Sequence, residues 1–136
     1  MMNENHKRAL GTSLQVIERH LNTINEELDQ NHKNSNSILN SIIYDVNPQT
    51  KKTILNVTAS MLEEIRQLKE IFNLEKYETS LRRLVYSTMI EIWTILSDLR
   101  PEKLAKAYGR ISDTDKKLLE PHILKLLETL DEIYQT

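Results

Sequence analysis

Leu10, Leu14, Ile17, Leu21, Ile24 and Leu28 recur at spacings of 4, 3, 4, 3 and 4. That heptad rhythm predicts a first helix over residues 5–30. At about 100° per residue the six positions fall within a sector of ~80°, narrower than the face of an ordinary core helix. Burying six such side chains is worth roughly 9–18 kcal/mol before the entropy of ordering is counted. Such a helix has to dock, either inside its own bundle or on a second copy of the chain.

A polar stretch, NHKNSNS, follows and reads as a loop. In ILNSIIYDV, Ile38, Leu39, Ile42, Ile43 and Val46 have helical spacing, which predicts a short helix, although so brief a β-branched run also suits extended chain. Asn47-Pro48 marks the next helix start, with Asn as cap and Pro in the first helical position. That helix is predicted to reach Leu74. Its main stripe is Ile54, Val57, Met61, Ile65, Leu68 and Phe72, widened by Leu55, Ala59 and Leu62.

NLEKYE is a break, and a helix over residues 76–99 is predicted after it. One of its faces carries Leu81, Leu84, Val85, Thr88, Ile92, Ile95 and Leu99. A second stripe carries Tyr86, Ile90 and Trp93, ~140° away on the helical wheel, with Met89 and Leu96 bridging the two on one side. A helix apolar on two faces is either central or at an interface. The last helix is predicted after Ser112, a cap, with Asp113 and Asp115 at its positive end. Its face is Leu119, Ile123, Leu126, Leu127, Leu130, Ile133 and Tyr134, and Pro121 either kinks it or marks where regular helix begins.

Four long segments with short connectors predict an all-α fold. The expected form is an antiparallel four-helix bundle with one or two short connecting helices, in a single domain over residues 1–136. Composition agrees: 39% apolar residues cover a core, and two Gly and three Pro are too few for the turns of an all-β fold.

Between the last two long helices lies LRPEKLAKAYGRIS. Pro101 stops the preceding helix, PEKLAKAY makes two turns, and Gly109 closes them. Arg100, Lys103, Lys106 and Arg110 are opposed across residues 100–110 by Glu102 alone. With Tyr108 nearby, they form a candidate anion-binding site for a nucleic acid or another polyanion. The plainer reading is a solvated connector in which Leu104 and Tyr108 cover the end of the core and Arg110 pairs with Asp113 or Asp115. The whole-chain charge of −2 leaves no general basic footprint.

Catalytic chemistry finds little support. There is no Cys, which excludes thiolate nucleophiles and disulfides and fits a reducing cytoplasm. His6 and His20 stand ~21 Å apart on one helix, so they do not share a metal. Neither Glu-x-x-His nor His-x-x-x-His occurs. With Gly11 and Gly109 as the only glycines, no phosphate-cradling loop forms and no Ser sits on a nucleophile elbow. The ERHLNTI around His20 departs from the motif of histidine phosphotransfer bundles. His6, Ser13, His20 and Glu27 instead repeat every seven residues beside the first seam, where coiled coils set their pairing. No cofactor is expected. The N-terminus lacks a secretory apolar core, and no apolar run nears the ~20 residues that span a bilayer. The expectation is a non-enzymatic cytoplasmic protein that binds protein or associates with itself. The candidate interface residues are Tyr86, Ile90 and Trp93, or Leu10, Leu14, Ile17 and Leu21 of the first seam.

Overall fold

Helix caps divide the chain. The computed structural model describes residues 2–29 and 37–135. Among them lie five α-helices: α1 (Glu4–Leu28), α2 (Pro48–Ile71), α3 (Leu81–Asp98), α4 (Pro101–Tyr108) and α5 (Asp113–Asp131). A 3₁₀ turn, Glu132–Gln135, follows α5, and no strand occurs among the described residues. The fold is all-α, with α4 as a short connecting helix.

Each start has a local cause. Asn3 Oδ1 accepts the His6 N–H at 2.8 Å, and Asn47 Oδ1 accepts the Thr50 N–H at 2.8 Å. Ser112 Oγ accepts the Asp115 N–H at 3.2 Å. α3 begins at Leu81 rather than 76 because Ser80 caps it, its Oγ accepting the Arg83 N–H at 3.3 Å. α4 begins with Pro101 in its first turn and ends at Gly109, whose φ of +112° lies where a Cβ would be strained. α5 continues through Pro121 without a break. Replacing Asn47 with Ala should cost about 1 kcal/mol, read as a lower urea midpoint, while Asn47→Asp should keep most of the cap.

α2 stops with a left-handed residue. Asn73 has φ +49°, its N–H bonds the Glu70 carbonyl at 3.3 Å, and the Leu74 N–H bonds the Lys69 carbonyl at 2.9 Å. These are the two bonds of a Schellman motif, and Leu74 is buried beyond them. The helix therefore ends at Ile71, and Leu74 packs as its hydrophobic stop.

The segment 37–47 corrects the short-helix expectation: no helix forms there. Ile38, Leu39 and Ile43 are exposed, Leu39 at 98% of its surface. With little apolar surface against them, Ile38, Leu39, Ile42 and Ile43 gain nothing from helical order. Tyr44 and Val46 are half-buried, and the Tyr44 hydroxyl donates to the Leu28 carbonyl at the end of α1. Of the expected loop NHKNSNS, residues 31–37, all but Ser37 lie outside the described residues.

The chain divides into two compact units, Met1–Lys76 and Tyr77–Thr136. In the first, α1 packs on α2. Leu21 and Leu28 of α1 are buried, as is Thr58 of α2, which is 3% exposed. The Thr58 hydroxyl shares its proton between Asn25 Oδ1 at 2.9 Å and the Leu55 carbonyl at 3.0 Å. In the second unit α3 packs on α5, and α4 touches both. Leu96, Ile123, Leu130 and Pro101 are buried. Tyr86, in the first turns of α3, stacks on Tyr134 just past α5, with centroids 5.8 Å apart and planes 13° apart, which puts the start of α3 beside the end of α5.

Candidate functional site

α3 docks on α5 through the strip between its two apolar stripes. Leu96 is buried, and Val85, Tyr86, Met89 and Ser97 are half-buried. On a wheel of about 100° per residue these positions centre near Met89 and Leu96, the bridge between the stripes. Much of the Leu81–Leu99 stripe is thereby turned outward. Leu81 is 73% exposed and Ile95 59%, and Leu84 and Thr88 are also exposed. Ile92 and Leu99 stand at its margin. One exposed leucine means little, but a row along one helix side is a surface with water against it that should be covered.

The candidate interface residues separate accordingly. Ile90 and Trp93 are exposed. Tyr86 is occupied inside its unit, between the Tyr134 ring and the Arg82 guanidinium, whose carbon sits 5.4 Å from the Tyr86 centroid. Arg82, Val85, Tyr86 and Ile133 line a shallow hollow there. On α1, Leu21 is buried and Leu10 and Leu14 are half-buried, whereas Ile17 and Ile24 remain exposed along one edge of the seam. Val57, Met61 and Ile71 are exposed on α2. The first seam thus serves the α1–α2 pair and leaves only an edge open.

The cations are partly engaged. Arg100 Nε lies 3.7 Å from Glu102, and Lys103 Nζ lies 3.7 Å from Asp98. Arg100 Nε is itself shielded from solvent and makes no hydrogen bond, so its charge is met only at ion-pair distance. Lys106 and Arg110 are exposed, and Tyr108 is 86% exposed, so it does not cover the end of a core. Residues 100–110 carry four cations and Glu102, a net +3, and Asp98 lowers the patch to +2, each opposed charge setting a competitor against an incoming anion.

Among the described residues no three His, Asp or Glu side chains gather as metal ligands, and no helix is long and apolar enough to cross a membrane. No protein-family model, curated protein or solved structure matches the chain.

The open side of α3 was visible in the sequence as one of two apolar faces, but Leu81, Leu84 and Ile95 were not among the candidate interface residues. The available signal was the bridge: Met89 and Leu96 join two stripes into one wide arc, and only part of such an arc fits against one neighbour.

Proposed function

We propose that this chain is a non-enzymatic, cytoplasmic protein that acts by binding protein, and that it associates with itself. One observation carries the reading: the apolar side of α3 from Leu81 to Ile95 is exposed along its length. Covering it removes apolar surface from water, the dominant favourable term in association. Ile90 and Trp93 extend the apolar surface around the helix, and Trp is among the residues that most often dominate binding energy. The polyanion reading through Arg100, Lys103, Lys106 and Arg110 has less support, since two of those cations already face acids.

Light scattering tests this. The wild type should show a multiple of the single-chain mass at micromolar concentration. Ile95→Glu should return it to the single-chain mass with its helical circular-dichroism signal intact, because a charge placed on that surface stays solvated only if the surface stays open. A wild type at single-chain mass across the concentration range would refute self-association.

A further inference from the structure

The first unit holds an open hollow of about 360 Å³ between the non-helical residues before α2 and the first turns of that helix. Pro48, Lys51, Lys52, Leu55 and Asn56 line one wall, at the i, i+3, i+4, i+7 and i+8 positions of a single helix face. Tyr44 and Val46 line the other. Two anchors bound it. The Tyr44 hydroxyl bond to the Leu28 carbonyl ties down the preceding segment, and Asn47 caps the helix.

The lining is of two kinds. Tyr44, Val46, Pro48 and Leu55 make it apolar. Lys51 is half-buried and Lys52 exposed, and among the described residues neither makes an ion pair. Nothing near them offsets their charge. They stand at the positive end of α2, where a helix disfavours cations, and its first turn holds no acid. Asp45 is the one acid between residues 44 and 56, and it pairs with neither lysine. The backbone is not the binder here, because Asn47 Oδ1 already takes the Thr50 N–H and Pro48 has none. An anion is held by side chains, with Asn56 supplying an amide donor on the same face.

That combination selects a chemistry. Acetate or phosphate would meet the cations and leave the apolar wall wet. A neutral apolar molecule would leave two charges unmet. A molecule with one anionic head and a short apolar tail uses both. Ligand pockets run from about 300 to 1,000 Å³, and this hollow stands at the small end, which suits a single short tail rather than a whole phospholipid.

We propose that this hollow binds a medium-chain fatty carboxylate, its head at Lys51 and Lys52 and its tail over Val46 and Leu55. The site belongs to the first unit and stands whether or not the chain associates through α3.

Sodium octanoate titrated into the isotope-labelled full chain should shift the amide NMR signals of residues 44–56 saturably. Octanamide and acetate, each lacking one half of the ligand, should bind at least about tenfold more weakly. Lys51→Gln with Lys52→Gln should weaken octanoate about tenfold and keep the helical circular-dichroism signal, because Gln and Lys have similar helix propensity. Lys51→Arg with Lys52→Arg should retain binding. Shifts centred on α3 in place of residues 44–56, equal binding of octanamide, or full affinity in the Gln variant would each overturn the proposal. So would capture of the chain by phosphatidylglycerol vesicles without binding of free octanoate, which would make the occupant a membrane surface.

Discussion

Leu96→Ala should destabilise the second unit by about 2–5 kcal/mol, measured as the loss of helical signal in urea. Leu96 is the buried residue of α3, which packs on α5. Truncating it removes transfer energy and leaves a cavity that α5, held by Ile123 and Leu130, does not collapse into fully. A unit of roughly 60 residues has about 3–9 kcal/mol in all, so this one change threatens its folding. Leu118→Ala on α5 makes the contrast. That leucine is exposed, and its loss should stay within about 0.5 kcal/mol. Equal effects at the two positions would mean that α3 and α5 pack through other faces.

Thr58→Val should cost the first unit about 1–3 kcal/mol although the shape of the side chain is kept. The hydroxyl is buried, and its removal leaves Asn25 Oδ1 without that donor between two helices. Asn25→Leu alone should be costly for the converse reason. The double variant should recover most of the loss, because replacing both partners leaves no orphaned polar group. A double-mutant cycle in urea reads the coupling. Additive losses would show that the two groups do not depend on each other.

The helices themselves were largely legible, and for local reasons. Asn47-Pro48 and Ser112 announce starts because capping needs only a side-chain oxygen and the next three residues. Pro101 and Gly109 bound α4 for equally local reasons. The Ser80 cap was available in the same way, directly before the first apolar position of the stripe, Leu81, and the helix start expected at 76 passed over it. The segment 37–47 failed differently. Helical spacing over so few residues carries too little nucleating energy to decide, and whether an apolar neighbour exists is a tertiary fact. The facing of α3 stayed open for a third reason. Periodicity identifies which residues are apolar together, and an arc wider than one neighbour leaves its docking direction to the partner. The basic stretch and its one internal acid, Glu102, were legible as charge, but Asp98 of α3 faces Lys103 only once α3 and α4 are folded.

The uncovered run from Ile38 to Tyr44 has a consequence for handling the protein. It is seven residues without a charge or a proline, rich in isoleucine, and its backbone is not tied up in helix. Segments of that kind stack strand upon strand between molecules and dry out as they do so. In concentrated stock, fibrils would therefore seed here first. Putting a lysine in place of Ile43, which is solvent-exposed, would place a gatekeeper in the run at little cost to the folded chain.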